Sequence, residues 1–438
     1  MENLNQAILN KSAKVNVFGM GYVGIPLAIE IAKSGFKVHG TDRNGWKTTA
    51  LSNGENPLTD LKEIDINSLK KLAGEGRMTF SQEYDKNSDI KMICVQTPMF
   101  PDRRPNLTTA KDIAKTIGKN LKRGSLIINE STVAPGMTRK VIANILEEES
   151  GLKAGEDFYL VASPERIDPG NTVYTINKMP KVIGGLNKES LELGVAFYSN
   201  FIQKVVPVSS LEAAEATKML ENSYRALNIG FINEFAKFCD AAGINVTEVV
   251  DAAATKPIGF AKHYPSIGVG GSCIPKDPYY LISAGEEAGM QFTILWNAMW
   301  SNESMPYYTF DLLKKASKEN NVKLSNAKVV IFGIAYKGDV KDLRDSPPLV
   351  LCNMLKREGI KTYVYDPYFS DDELKKMELL PFHPEKESCD IVIIGCDHSQ
   401  FKAFDYKKLS GLKFIIDGKN ILQKMHVPVI GIGIGNKS

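Results

Sequence analysis

Apolar runs of strand length, each followed by a helical pattern, divide the chain into α/β units. Lys14 to Phe18 alternates with valine and reads as a buried strand. Gly19-Met20-Gly21-Tyr22-Val23-Gly24 follows at once. Ile25 to Ser34 then reads as a helix, and Val38 to Thr41 as a second strand ending at Asp42. Lys91 to Val95, Leu126 to Asn129 and Phe158 to Ala162 continue the strands. They end in Gln96-Thr97-Pro98, Glu130-Ser131-Thr132-Val133 and Ser163-Pro164-Glu165-Arg166. Polar residues at the carboxyl ends of parallel strands line the ligand crevice of an open sheet.

From Ser210 the pattern changes. Glu212 to Ala242 holds no proline and only Gly230, and reads as one long helix. Its apolar stripe includes Ala216, Met219, Leu220, Leu227, Ile232 and Phe235. Lys218 and Asn222 share a face at i and i+4. By base rate a helical lysine is solvated. The helix is too long for a βα unit and reads as a connector between two α/β halves and a dimer contact. Val246 to Ala254, Asp277 to Gly289 and Ile294 to Leu313 read as helices. Lys328 to Gly333, Lys361 to Tyr365, Ile391 to Ile394 and Lys413 to Asp417 form a smaller parallel sheet, with a helix over Ser346 to Glu358. The tail Asn420 to Ser438 has no clear pattern and reads as mobile. The expected fold class is α/β: two Rossmann-like, doubly wound parallel-sheet domains joined by a long central helix.

Composition narrows the function. The chain has 438 residues, a net charge of +3, and 43% hydrophobic residues. That charge gives no reason to expect nucleic acid or a membrane surface as partner. No apolar run reaches the length of a spanning helix, and Met1 to Lys14 lacks a signal-peptide core. The six cysteines, Cys94, Cys239, Cys273, Cys352, Cys389 and Cys396, form no CxxC pair, and histidine is scarce. Neither a metal nor a disulfide framework is expected, and the default compartment is the cytoplasm.

Two motifs carry chemistry. The first is the strand, GxGxxG, helix, strand and acid array, a dinucleotide fingerprint. Gly19 allows the tight turn, Gly21 lets a pyrophosphate approach, and Gly24 lets helix and strand pack. The helix N-terminus faces the phosphates. Asp42 accepts ribose hydroxyls and repels a 2′-phosphate, so NAD is expected over NADP. Arg43 beside it would tolerate that phosphate. Thr97 and Thr132 are placed for the nicotinamide half. The second motif is Gly268-Val-Gly270-Gly-Ser-Cys273-Ile-Pro-Lys276-Asp277, a glycine-rich loop presenting a thiol. A poised thiolate beside a dinucleotide site suggests oxidation through a thioester. Lys337, Lys341 and Arg344, in the first loop of the second half, suit a nucleotide diphosphate.

These motifs, with Lys218-Met-Leu-Glu-Asn222 and Lys337-Gly-Asp-Val-Lys-Asp-Leu-Arg344, resemble the UDP-glucose/GDP-mannose dehydrogenase family over about residues 14 to 420. The resemblance implies a homodimer or higher homo-oligomer that oxidises a UDP-sugar at C6 with two NAD per turnover. It implies an NAD-binding Rossmann domain at 1–208 and a central helical dimerisation domain with the cysteine loop at 209–315. A C-terminal UDP-sugar-binding domain would occupy 316–438. Cys273 would attack the C6 aldehyde, Lys218 would stabilise oxyanion charge, and Asn222 would hold the reacting oxygen or water. Asp277 and Thr132 would position water or relay protons, with Glu165 near the sugar. Gly19, Gly21, Tyr22, Val23, Gly24, Asp42, Arg43, Thr97, Ser131, Thr132, Lys276 and Arg344 would contact NAD. Glu165, Arg166, Lys218, Asn222, Tyr264, Gly270 and Lys337 would contact the sugar nucleotide.

Within the family, Ser272 and Lys276 resemble UDP-glucose enzymes. Ala253 to Phe260, Asp277 to Leu281 and Asp168-Pro-Gly-Asn171 resemble the UDP-N-acetylglucosamine branch, and Pro257 stands where UDP-glucose enzymes have an arginine. UDP-N-acetylglucosamine is the expected substrate, with UDP-N-acetylmannosamine and UDP-glucose as alternatives. A two-electron hydroxyacid dehydrogenase would not need Cys273, and an inactive nucleotide-sugar sensor would not need Cys273, Lys218 and Asp277 together.

Overall fold

The computed structural model of the chain describes residues 2–58, 64–167, 174–423 and 425–435. They form two compact units. One comprises the residues up to Glu221 with Tyr279–Met290, the other Asn222–Pro278 with the residues from Gln291 onward.

The first unit is built on eight strands: β1 (Lys14–Phe18), β2 (Lys37–Thr41), β3 (Met78–Ser81), β4 (Ile90–Ile93), β5 (Leu126–Asn129), β6 (Tyr159–Ala162), β7 (Lys181–Gly185) and β8 (Val205–Val208). Their order is β3-β2-β1-β4-β5-β6-β7-β8. Neighbours run parallel except β6 and β7, which are antiparallel. The first six follow the doubly wound dinucleotide order, whose switch point lies between β1 and β4. Strands β4, β5 and β6 are buried along their whole length, which explains why they are apolar apart from Lys91 and Asn129. Leu126 and Ile128 enter the core on one face of the sheet and Ile127 the core on the other.

The second unit holds six parallel strands: β9 (Val329–Phe332), β10 (Thr362–Tyr365), β11 (Leu380–Pro381), β12 (Ile391–Ile394), β13 (Phe414–Asp417) and β14 (Val429–Gly431). Their order, β11-β10-β9-β12-β13-β14, repeats that of the first six strands. The fold is therefore α/β with two doubly wound sheets. The 32-residue helix Leu211–Ala242 runs through the sequence boundary of the two units.

Three expectations are corrected. The helix expected over Ile294 to Leu313 is two helices, Thr293–Glu303 and Met305–Glu319. Pro306 has no N–H to continue the ladder, so the chain turns at Ser304. The tail expected to be mobile from Asn420 contains β14, paired to β13. The Asn420 side chain bonds Ile432 through both its N–H and its carbonyl (2.7 and 2.9 Å), and Asp240 accepts the N–H groups of Gly433 and Gly435. Leu220, assigned to the buried stripe, is 66% exposed. The Asp168 to Asn171 run lies outside the described residues.

Candidate active site

In the first unit the fingerprint folds as its glycines require. Gly19 has φ +96°, and a Cβ there would lie 2.5 Å from Cys94 O. A Cβ on Gly24 would lie 1.9 Å from Gly19 O, so turn and helix Gly24–Lys33 touch only because Gly24 has none. A Cβ on Gly21 would meet nothing within 4 Å. That open side is where a pyrophosphate would approach. Asp42 follows β2 and accepts Met20 N–H and Asn44 N–H, both at 2.9 Å, on different oxygens. Each carboxylate oxygen has a further lone pair for a ribose hydroxyl. Arg43 is exposed, and its carbonyl accepts the Gln82 amide (2.7 Å). The shape and donor set fit a dinucleotide.

Thr97, Ser131 and Thr132 come together beyond β4 and β5. Thr97 is buried and its hydroxyl donates to Thr132 O (2.6 Å). Ser131 Oγ accepts Val95 N–H (3.0 Å) and lies 2.8 Å from Val95 O. These hydroxyls tie the two strand ends to each other. Glu165 accepts the N–H of Ile167. Arg166 does not pair with Glu165. Its guanidinium pairs with Glu221 on the long helix and donates to Pro180 O (2.7 Å). Lys218 is 8% exposed, against the expectation of a solvated helical lysine.

Sequence reading missed a buried cluster in this unit. Glu130 pairs with Lys181 and accepts the Tyr198 hydroxyl, and Lys181 also reaches Pro164 O (3.3 Å). Burial pushes the Glu130 carboxyl up, opposed by the Lys181 charge, and burial raises the Cys94 thiol beside it. The available signal was a glutamate directly after a strand that is apolar up to Asn129.

In the second unit the cysteine loop is fixed by close approach. A Cβ on Gly270 would lie 2.5 Å from Tyr336 Cβ, and one on Gly271, at φ +90°, 2.8 Å from the Tyr336 ring. Gly271 N–H bonds Arg344 O (2.8 Å). Cys273 is exposed, with Ser272 Oγ 3.5 Å from its sulfur, and its carbonyl accepts Asp277 N–H (2.8 Å). Asp277 is wholly buried. Asn222 Nδ2 donates to Asp277 Oδ2 (2.6 Å), while Oδ1 takes no hydrogen bond and lies 3.5 Å from Lys276 Nζ. The Asn222–Asp277 bond thus brings Asn222 to the end of the cysteine loop, beside Lys276.

The other basic residues there are braced. Arg344 bonds Asp342 through Nε (3.0 Å) and Nη2, and Lys341 pairs with Glu373. Lys337 lies in the loop after β9, followed by Gly338, where a Cβ would lie 2.6 Å from Asp397 O. Tyr264 is exposed and its hydroxyl bonds Asp251. Gly333, at φ +85°, ends β9 as Gly19 ends β1. Asp366 follows β10 as Asp42 follows β2, and accepts Ile334 N–H (2.8 Å) as Asp42 accepts Met20 N–H, but it also lies 3.3 Å from His398 Nε2. Among the described residues, no group of three His, Cys, Asp or Glu side chains is disposed to hold a metal, and no helix is long and apolar enough to cross a membrane.

Comparison with known proteins agrees with this arrangement. The chain matches the UDP-glucose/GDP-mannose dehydrogenase family in its NAD binding domain over residues 13–202, its central domain over 212–304 and its UDP binding domain over 330–424. A UDP-N-acetyl-D-mannosamine dehydrogenase of Pyrococcus horikoshii is 34% identical over 96% of this chain and 99% of its own length. A UDP-N-acetyl-D-glucosamine 6-dehydrogenase of Pseudomonas aeruginosa is also 34% identical, over 93% of this chain and 98% of its own. The solved structure of a UDP-D-ManNAc dehydrogenase from Pyrococcus horikoshii superposes with a TM-score of 0.87 at 33% identity, covering 96% of this chain and 99% of that one. With its fingerprint, its cysteine loop and these matches along three domains, the chain belongs to the UDP-glucose/GDP-mannose dehydrogenase family and is an NAD-dependent UDP-sugar 6-dehydrogenase.

Proposed function

We propose that the chain oxidises the C6 hydroxyl of a UDP-N-acetylhexosamine to the carboxylate through a thioester on Cys273. The observation that carries this reading is the cysteine loop. Cys273 is the exposed thiol among six cysteines, four residues from a buried carboxylate, Asp277, that Asn222 holds. Bound NAD supplies the hydride acceptor for each of two oxidations. The C6 alcohol loses a hydride and a proton to give the aldehyde. The Cys273 thiolate adds to its carbon, and the hemithioacetal loses a second hydride to leave the thioester. Water then breaks the C–S bond, releasing the carboxylate and the thiol. One water and two NAD are consumed per sugar, and two NADH and three protons are released.

The remaining roles are proposed with it. Lys218 stabilises oxyanion charge and Asn222 holds the reacting oxygen. Asp277 and Thr132 orient water or pass protons, and Glu165 lies by the sugar. Lys337 reaches the sugar nucleotide, and Arg344 contacts NAD.

The N-acetyl preference rests on Ala253 to Phe260 and Asp277 to Leu281, which resemble the UDP-N-acetylglucosamine branch, with Pro257 in place of an arginine. UDP-N-acetylglucosamine is the first choice. UDP-N-acetylmannosamine is the second reading, favoured by the Pyrococcus horikoshii enzyme in both sequence and structure. The test is kcat/KM for these two sugars and UDP-glucose side by side. An N-acetylated sugar is expected to exceed UDP-glucose by about a hundredfold, because a pocket built for the amide leaves unpaired groups with glucose. Preference for UDP-glucose would overturn the N-acetyl reading. Self-association is proposed from the exposed Leu220, Tyr224, Phe231 and Phe238 along one helix, spaced by four and seven residues.

A further inference from the structure

We infer that Glu215 is a positioning residue for the reaction, holding the turn that carries Thr132 through two backbone hydrogen bonds. The inference rests on the proposed place of Thr132 among the reacting groups. Glu215 lies one turn before Lys218 on the long helix and is 1% exposed. Its Oε2 accepts the N–H of Gly136 at 2.6 Å and its Oε1 the N–H of Thr138 at 2.9 Å. Gly136 has φ +91°, so the turn follows a path that few other residues adopt.

The same turn is tied on its other side. Thr97 Oγ1 donates to Thr132 O, and Asn129 Nδ2 donates to Thr138 Oγ1 at 2.8 Å. Glu215 therefore closes a brace across residues 131 to 138, from strand ends to helix. Only an acceptor on both oxygens serves two N–H groups. Protonation makes one oxygen a hydroxyl, a weaker acceptor, and so loosens one of the two N–H bonds.

Burial pushes the Glu215 carboxyl up to about 7, against the pull of its hydrogen bonds to Thr138 and Gly136. The charges that face it are Glu212, one turn earlier on the same helix, and Arg139, on the turn after Gly136, which pairs with Glu212 at 2.6 Å. Lys140, also on that turn, lies 3.7 Å from Glu287. Among the described residues no cation bonds Glu215 directly, so its ionised form depends on the Thr138 hydroxyl and the two N–H groups.

The effects on stability and on activity have opposite signs. The folded pKa lies above the usual carboxylate value of 4.5, so the native state binds this proton more tightly than the unfolded chain. The stability from this group is present below about 4.5 and lost as pH rises through about 7. The brace itself is present above about 7 and lost as pH falls.

The test compares the wild type with Glu215→Gln, using whichever UDP-sugar the enzyme turns over. In the wild type, kcat is expected to fall on the acid side near pH 7. Hydrogen exchange of the peptide spanning 131–138, corrected for intrinsic rate, is expected to quicken from pH 8 to pH 6. Glu215→Gln should exchange fast at both pH values, lose the limb near 7, and lower kcat about tenfold at pH 8 with KM for sugar and NAD nearly unchanged, the size of effect a small misplacement of a reacting group produces. Unchanged protection in the variant would overturn the inference, as would an unchanged kcat with the acid limb in place. Faster exchange with full activity would instead remove Thr132 from the reaction, and the inference with it, while leaving the oxidation of the sugar intact. Should the variant fail to fold, the wild-type exchange between pH 8 and pH 6 decides, and protection that does not change across that range rejects the brace.

Discussion

Cys273 and Lys91 show what exposure does to a reactive side chain. Cys273 is exposed on a turn, where attack on a carbonyl is possible, whereas burial pushes the Cys389 and Cys396 thiols up to about 12. Cys273→Ser should cut net turnover roughly a thousandfold with sugar binding kept, because the alkoxide is harder to form and its ester harder to hydrolyse. A serine variant that still yields two NADH per sugar at the wild-type rate would exclude the thioester. Lys91 is the reverse case. It is wholly buried in β4, bonded to Ser88 O and to Ser125 Oγ (3.2 Å), and burial lowers its pKa from 10.5 to about 8. Above about 8 the native state has lost a proton that the unfolded chain keeps up to 10.5. Stability should therefore climb by on the order of 3 kcal/mol between those values. Denaturant titrations from pH 7 to 10.5 should show this climb in the wild type and lack that component in Lys91→Met. Equal slopes in the two proteins would contradict it. Asn222 and Asp277 were each legible as candidates because both fall in recognisable motifs, though their pairing was not. The Glu130–Lys181–Tyr198 cluster was not, because its members lie 51 and 17 residues apart and meet only through the sheet.

Among the elements, the long helix shows why one glycine was retained in a run otherwise free of helix breakers. A Cβ on Gly230 would lie 2.7 Å from Ala298 O, on the helix Thr293–Glu303. Ser301 Oγ donates to Gly230 O (3.1 Å), and Asn302 bonds both Asn233 (2.9 Å) and Ala226 O (3.1 Å). Gly230→Leu would gain about 1 kcal/mol in helix propensity but must push two helices apart, at about 1–3 kcal/mol and the loss of those buried bonds. The steric term wins, and the melting temperature should fall. A variant as stable as the wild type would show that the helices separate freely. Strands β5 and β12 were readable because burial on both faces calls for mostly apolar residues, and β1 and β4 were readable despite the buried Asn16 and Lys91. The two-residue β11 and the three-residue β14 carry too little pattern, and they exist because a neighbouring strand pairs with them. The break at Ser304 was signalled by Pro306, but the apolar pattern on both sides concealed it.

At the scale of the whole molecule, the repeated strand order was legible, and the different fate of the two acids was not. Both acids accept N–H groups of their own loops, but Asp366 also meets the buried His398, whereas Asp42 keeps lone pairs for a ribose. Sequence places both after a second strand, and only packing separates them. The edge of the second sheet has a further consequence for handling the protein. The backbone of β13 (Phe414-Ile415-Ile416-Asp417) is buried throughout and pairs on one side with β12 and on the other with β14. A chain cleaved or terminated between residues 418 and 428 would leave that apolar strand as an open template. Unpaired, flat, hydrophobic edges recruit strands from other molecules. Such a fragment should sediment as insoluble material on expression, and recovering it as a dispersed species would show that β13 does not need its partner. Proteolysis in that linker would thus change solubility before it changed catalysis.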